Sequence, residues 1–296
     1  MKKGLLIVNN FIDKKISHRF QDLYDLLIDA FNDYNILLEL KTNAEIICFI
    51  DENTIKDQYD FILFWDKDIL LAKHLENLGL KVFNSSKAIE LCDDKAKTAL
   101  ALENYNIPMP KTIIAPFSFE NYDFNSQNDF SFLDDITKKL GYPLIIKEGK
   151  GSFGEQVYLV DNRNALEDIL KKITKNSVIF QEFIDSSYGF DTRIMVCGGK
   201  YLGAVKRISQ NNDFRSNVLQ GGIMEQYHPA QDFIDLAIKV ADILELDFAG
   251  VDLMFSKDNK PIFCEVNSNV HFKTFYKTTG VNLAKEIAKY INTKIY

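Results

Sequence analysis

The most informative residues for chemistry are two carboxylates and an amide in the stretch AGVDLMFSKDNKPIFCEVN near the C-terminus. Turn-forming residues at 258–259 predict an antiparallel hairpin, and a hairpin centred there places Asp252 opposite Glu265. Because side chains alternate along a strand, Asn267 projects on the same face as Glu265, and its partner Gly250 leaves that face open. Three oxygen-bearing side chains are therefore expected to converge.

The opposite face of this hairpin is predicted to be core. It carries only apolar residues: Val251, Leu253, Phe255, Ile262, Cys264 and Val266. Uncompensated negative charge beside such a layer would be costly, so a cation is the expected partner of the acids. Oxygen ligands suit Mg²⁺ that holds nucleotide phosphates better than zinc, which favours His or Cys. On spacing alone, a solvent-facing hairpin edge with incidental acids is the alternative.

A second candidate is Lys147, which ends an apolar strand and precedes the glycine-rich stretch Gly149–Gly154. This places an ammonium next to backbone NH groups that can wrap around an anion, for which phosphate is the obvious candidate. The stretch matches neither a Walker A motif nor GxGxxG before a helix. A hairpin turn with surplus glycine would have the same sequence.

Taken together and in order, these elements resemble the ATP-grasp superfamily, in particular its RimK-like carboxylate–amine ligases of the α-L-glutamate type. The resemblance runs from about Asp94 to the C-terminus. It is carried by DK at 94–95, YPLIIKEGKGSFG, QEFI, DTR, DFRSN, AGVDL, CEVN and KTTGVNLA, which fall in family order. It implies an ATP-grasp fold, with a small open α/β domain in front of it.

The resemblance also implies roles for individual positions. The implied ATP contacts are the phosphate-binding Lys95 and Lys147, the lid residues Gly151, Ser152 and Gly154, the adenine hinge Gln181, Glu182, Phe183 and Ile184, and further contacts at Asp191, Ser216 and Asn217. The implied metal ligands are Asp252, Glu265 and Asn267. Guanidinium forks suit a substrate carboxylate or a transferring phosphoryl group, so Arg193, Arg207 and Arg215 are the candidate catalytic residues. Arg215 is the first choice, with a surface ion pair as the alternative.

The sequence departs from the family pattern directly after Asn267. Relatives continue with a small residue and a proline-glycine turn, whereas this chain has SNVHFK over residues 268–273. The departure puts the substrate analogy in doubt. His271 is either a substrate contact or a structural residue beside Phe272.

The elements that position these residues indicate a mixed α/β (α+β) fold. Strands alternating with helices predict an open α/β domain over residues 1–92, with strands at GLLIVNN, EIICFI, DFILFWD and KVFN. Residues 93–180 are predicted to form the ATP-grasp N-terminal lobe, with the hairpin PLIIKE–QVYLV and its lid, and the polar segment PFSFENYDFNSQNDFSF as a loop. Residues 181–296 are predicted to form the C-terminal lobe with the metal site.

Composition excludes several classes of protein. The 296 residues carry a formal net charge of −7 with no basic run, which argues against a nucleic-acid or anionic-membrane partner. The four cysteines form no CxxC pair, so neither a zinc site nor a disulfide framework is indicated. No stretch approaches the roughly 18 apolar residues of a membrane span, and the cytoplasm is the expected location.

The resemblance implies an Mg-ATP-dependent ligase that forms an amide through an acyl phosphate. The expected cofactors are ATP and Mg²⁺, as two ions that Mn²⁺ can replace. The expected partners are a small-molecule or peptide carboxylate and an amine, with an amino acid such as glutamate as the analogy; a homo-oligomer is left open. An ATP-grasp small-molecule kinase and a non-enzymatic ATP-binding scaffold are the alternatives.

Overall fold

The computed structural model describes residues 1–12, 14–50, 55–117, 130–151, 154, 156–173, 177–216 and 222–296, and for residues 14–19 the backbone alone. Its strands are β1 Lys2–Val8, β2 Ile36–Thr42, β3 Phe61–Trp65, β4 Val82–Phe83, β5 Thr112–Ile114, β6 Leu144–Glu148, β7 Val157–Val160, β8 Val178–Glu182, β9 Phe190–Cys197, β10 Lys200–Ile208, β11 Ile223–Tyr227, β12 Phe248–Phe255 and β13 Pro261–Asn267. Its helices are α1 Lys14–Asn32, α2 Ile69–Asn77, α3 Ser86–Asp93, α4 Lys95–Leu102, α5 Phe132–Leu140, α6 Arg163–Leu170, α7 Gln231–Ile243, α8 Lys273–Thr279 and α9 Leu283–Ile295.

The first sheet is parallel, with strand order β2-β1-β3-β4. Its central strand β3 is apolar throughout and fully buried, as expected for a parallel strand covered on both faces. The prediction of a strand at EIICFI is wrong, because Ile47, Phe49 and Ile50 are exposed and lie outside any strand. The strand beside β1 is instead β2, which follows directly after the chain turns at Asn35, whose φ is 55°.

The second sheet is antiparallel, with order β5-β8-β6-β7. The predicted hairpin of β6 and β7 is confirmed, and Lys147 pairs with Val157 at its loop end, next to the glycine-rich stretch. Residues 118–129, the predicted polar loop, lie outside the described residues.

The third sheet has order β11-β10-β9-β12-β13, and helix α7 covers one of its faces. Its hairpin pairs Asp252 with Glu265 as predicted, but a bulge follows and Leu253 lies opposite Phe263. The predicted core face is therefore wrong in part, since Phe263 is buried while Cys264 and Ile262 are partly exposed. One extra residue in a bulge reverses which side chains face the core.

The other face of the third sheet packs partly against the first. Trp65, at the end of β3, stacks on Phe248 with ring centroids 5.4 Å apart and meets the edge of Phe272 at 6.0 Å. The apolar half of this face is thus part of the core, and its polar half carries the candidate site residues. None of the helices in the described part of the chain is long and apolar enough to cross a membrane.

Asn84 joins the two sheets at this junction. Its fully buried amide donates to the carbonyls of Phe248 at 3.0 Å and Ser268 at 3.2 Å. Its Oδ1 accepts from the backbone NH groups of Asp247 at 2.7 Å and Phe248 at 3.2 Å. The side chain therefore fixes both the start of β12 and the residue after Asn267.

Replacing Asn84 with alanine is expected to lower the free energy of unfolding by about 3 kcal/mol or more, since each buried polar group left unpaired costs about 1–3 kcal/mol. Asn162→Ala, which removes the N-cap of α6, is the matched control, with an expected loss of about 1 kcal/mol. Urea unfolding of both variants measures the difference. Equal losses would show that the junction does not depend on Asn84.

Candidate active site

A row of ionisable side chains crosses the polar half of the third sheet. Asp191 on β9 lies opposite Arg207 on β10, Arg193 on β9 lies opposite Asp252 on β12, and Asp252 lies opposite Glu265 on β13. Two of these cross-strand pairs join opposite charges, and the third places the carboxylates of Asp252 and Glu265 side by side.

Asp252 is the centre of this row and is fully buried. Arg193 donates to both of its oxygens, Nε to Oδ1 and Nη2 to Oδ2, each at 2.6 Å, and Arg207 Nη2 donates to Oδ2 at 2.8 Å. Arg207 also donates from Nε to Asp191 at 2.7 Å, and the Ser216 hydroxyl donates to the same carboxylate at 2.6 Å. The two guanidiniums neutralise buried carboxylates, as such bidentate pairs must.

Burial lowers the pKa of the Arg207 guanidinium, but Asp191 and Asp252 outweigh it and raise that pKa well above its usual range. Two of the three arginines expected to bind substrate are thus paired with acids of the site. Whether either also touches substrate remains a prediction.

Lys95 reaches the row because Asp94 fixes the start of α4. The Asp94 carboxylate accepts from the backbone NH of Ala96 at 2.8 Å and from the Ser177 hydroxyl at 2.7 Å. The Lys95 backbone NH donates to the Gly149 carbonyl at 3.0 Å. A side chain at Gly149 would collide with Ser177 at 1.8 Å, so this close approach requires glycine.

Glu265 faces a concentration of positive charge. Burial would raise its pKa, but Lys95, Lys147, Arg193 and Arg207 together lower it to about 2. Burial lowers the pKa of Lys95, and Glu265 opposes that effect. Among the described residues, no carboxylate lies within 4.0 Å of either lysine ammonium. Positive charge therefore exceeds negative charge here, which favours a bound anion.

The pKa of Glu265 predicts a pH-dependent stability. A depressed carboxyl pKa stabilises the fold above the unfolded value of 4.5, and this contribution is lost as the pH falls toward 2. The stability difference between the wild type and Glu265→Gln is expected to shrink by about 2 kcal/mol between pH 6 and pH 3. Urea titrations of both proteins across this range measure it. A constant difference would mean that the four cations do not act on Glu265.

Arg215 lies apart from the row. It pairs with Asp213 through Nε at 3.0 Å and Nη2 at 2.7 Å, and its Nη1 donates to the Gly154 carbonyl at 2.8 Å. The structure therefore shows the ion pair that was the alternative for this residue, together with a contact to the glycine-rich loop. Gly151 is partly buried, while Ser152 and Asn217 lie outside the described residues.

The predicted adenine hinge is the passage from β8 to the third sheet. The Gln181 amide donates to the Thr112 hydroxyl at 2.8 Å, and Glu182 accepts from the Lys111 backbone NH at 2.9 Å. The Phe183 ring packs edge-on against Tyr188 and Phe214, and Ile184 is partly buried. The side chains are thus anchored on both sides of the hinge, whose role in adenine binding stays a prediction.

The predicted metal ligands fit a hard cation in part. In the described part of the chain, no three His, Cys, Asp or Glu side chains converge as a metal site. Two carboxylates and an amide do converge, and Asn267 Nδ2 donates to Glu265 Oε1 at 3.3 Å. Three hydrogen bonds already occupy Asp252, so Glu265 and Asn267 are the freer donors. Oxygens of this kind suit Mg²⁺ with phosphate completing the shell.

The open face predicted at Gly250 is wrong, because Val270 fills it. A β-carbon on Gly250 would lie 2.7 Å from the Val270 side chain. Sequence reasoning also missed Asn84 and Ser177, which hold the site through contacts between distant parts of the chain. Two surface grooves, beside α8 and beside α7, lie away from the row.

Fold comparison places the chain in the class of ATP-grasp proteins. The RimK-domain ATP-grasp protein of Sphaerobacter thermophilus superposes with a TM-score of 0.74 at 21% identity, over 98% of this chain and 99% of that one. The protein-family model of the RimK-like ATP-grasp domain matches residues 92–291. The chain therefore belongs to this family of ADP-forming carbon–nitrogen ligases.

Three relatives illustrate the membership. The uncharacterized protein MG012 homolog of Mycoplasma pneumoniae is 33% identical over 89% of this chain and 91% of its own length. The probable alpha-L-glutamate ligase of Legionella pneumophila is 33% identical over 76% of this chain and 71% of its own. Human N-acetylaspartylglutamate synthase A is 32% identical over 76% of this chain, and the match spans 56% of that protein's length.

Proposed function

We propose that the protein joins a carboxylate to the amino group of an amino acid, with L-glutamate as the first candidate, at the expense of ATP. The observation that carries the proposal is Glu265, which lies opposite Asp252, accepts from Asn267 at 3.3 Å and has its pKa lowered by Lys95 and Lys147 despite its burial. An ionised carboxylate beside lysines without a close carboxylate partner suits a site for phosphates and a divalent cation together.

In the first step, a carboxylate oxygen of the acid attacks the γ-phosphorus of ATP, ADP leaves that phosphorus, and an acyl phosphate is formed. Lys95 and Lys147 neutralise the phosphate oxygens, and the backbone of residues 181–184 holds the adenine. Catalysis of this kind is mostly positioning and charge neutralisation. Burial raises the pKa of Asp252, and Arg193 and Arg207 oppose that effect through their hydrogen bonds to its carboxylate.

Asp252, Glu265 and Asn267 would hold Mg²⁺, and we favour two ions. When bound, the ions neutralise charge on the β- and γ-phosphates. The excess of positive charge around Glu265 does not prevent this, because phosphates bring several negative charges with the metal.

In the second step, the neutral amine attacks the acyl carbon and phosphate leaves, so that an amide, ADP and phosphate are the products. The amine loses one proton in this step, and the released phosphate takes it up. Arg215 donates to the Gly154 carbonyl, and we assign it to the phosphoryl group through this contact with the glycine-rich stretch.

The names of two relatives suggest candidate substrates for this protein. The Legionella protein is named as a glutamate ligase, and the human protein for a product that contains glutamate. We therefore infer glutamate as the amine, and a small N-acylated or free carboxylic acid, or a peptide carboxylate, as the acid.

A screen of acids with L-glutamate, Mg²⁺ and ATP tests the proposal, with ADP release as the signal and mass analysis of the product. Hydroxylamine in place of glutamate should trap a hydroxamate from the acid that supports turnover. ADP release that gives a stable phosphorylated product and no hydroxamate would replace the ligase with a small-molecule kinase. If no pair of acid and amine supports ADP release, the non-enzymatic ATP-binding scaffold is the remaining hypothesis.

A further inference from the structure

One buried side-chain oxygen in the described part of the chain has no hydrogen-bond partner, and it is Asn269 Oδ1. A buried acceptor without a donor costs free energy, about 1–3 kcal/mol, and such groups in native proteins call for an explanation. Asn269 lies in the segment 268–272, between the metal-ligand strand β13 and helix α8.

This segment is held against the site at both ends. The Ser268 carbonyl accepts from Asn84, and the Val270 side chain sits on Gly250, beside Arg193. Consecutive Cα atoms are about 3.8 Å apart, so the Cα of Asn269 lies within about 7.6 Å of that of Asn267. The backbone that carries the unpartnered oxygen is therefore held near the charged row.

The chemistry of the reaction limits what can satisfy this oxygen. Phosphates, the acid and the acyl phosphate present acceptors at the reacting centre, and an acceptor cannot satisfy an acceptor. The arginines of the row already donate to carboxylates, and the lysines are assigned to the phosphates in the proposed function. The amine is the reacting group that brings N–H donors.

We propose that Asn269 is the residue that orients the attacking amine, an inference that rests on the proposed function. Its amide oxygen accepts an N–H of the amine and leaves the nitrogen lone pair directed at the acyl carbon. A neutral acceptor suits this task better than a carboxylate, which would stabilise the ammonium form that cannot attack.

The test compares Asn269→Leu and Asn269→Asp with the wild type, using L-glutamate and the acid that supports ADP release. In Asn269→Leu the KM for glutamate is expected to rise about tenfold or more, with the KM values for ATP and acid unchanged. Hydroxamate formation with hydroxylamine should persist, because the first step does not involve the amine. Asn292→Leu, on α9, is the matched control and should retain wild-type constants.

Asn269→Asp supplies a readout that a structural role would not move. The added charge should shift the rising limb of the kcat–pH profile to higher pH, because the bound amine then holds its proton more tightly. An unchanged glutamate KM in Asn269→Leu, or a rise confined to the acid, overturns the inference while amide formation by the wild type upholds the proposed function. A wild type that forms no amide with any acid refutes both.

Discussion

Glu265→Gln should lower ATP turnover at least about 100-fold, which corresponds to about 2.7 kcal/mol of transition-state stabilisation. The neutral amide would lose the charge proposed to hold the metal, and it removes the carboxylate whose pKa Lys95 and Lys147 lower most strongly. Steady-state ADP release under saturating Mg-ATP measures the effect.

Glu225→Gln is the control for that change, because Glu225 lies exposed on β11 at the edge of the same sheet. It should retain wild-type turnover. Circular dichroism must show both variants folded at neutral pH. Turnover within about twofold of the wild type in Glu265→Gln would remove this residue from the site.

Asp252→Asn should cause the largest loss of stability among single changes in the row. The substitution leaves Arg193 and Arg207 buried with a neutral partner in place of the carboxylate they share. Breaking a buried ion pair by removal of one partner costs about 3–5 kcal/mol. The free energy of unfolding in urea is expected to fall by that amount.

An exposed ion pair gives the comparison. Asp33 pairs with Lys285 at 3.0 Å with both side chains more than half exposed, so Asp33→Asn should have no measurable effect on stability. If Asp252→Asn also leaves the free energy of unfolding unchanged, Asp252 is not needed to compensate the buried charge of the two arginines.

Local patterns predicted the parts of the site that depend on neighbours in sequence. The β12–β13 hairpin was predictable because its turn lies between two short apolar strands, and this fixed Asp252 opposite Glu265. The N-cap of α4 is equally local: the sequence offers Asp93 or Asp94 as the cap, and the structure shows Asp94 in that position.

The sequence could not reveal contacts set by the arrangement of distant strands. The pairing of Arg193 with Asp252 depends on β9 lying between β10 and β12, which no local pattern specifies. The bulge after Asp252 is a second case, because a single extra residue is invisible in an apolar run. Asn84 is a third, since its four hydrogen bonds join segments more than 160 residues away.

The prediction of a strand at EIICFI, at the edge of the first sheet, was wrong for a different reason. EIICFI has the composition of a strand, yet the chain had already supplied β2 to pair with β1. Apolar content alone does not provide a pairing partner, and Ile47 and Phe49 remain exposed.

The most direct test of the acyl-phosphate ligase is the fate of the acid's oxygen. The acid that supports ADP release is labelled with ¹⁸O in its carboxylate, and the inorganic phosphate formed with L-glutamate is analysed by mass spectrometry. Attack of the carboxylate on the γ-phosphorus and later loss of phosphate from the acyl carbon predict one ¹⁸O in each phosphate released. Amide formation with unlabelled phosphate would contradict the proposed chemistry.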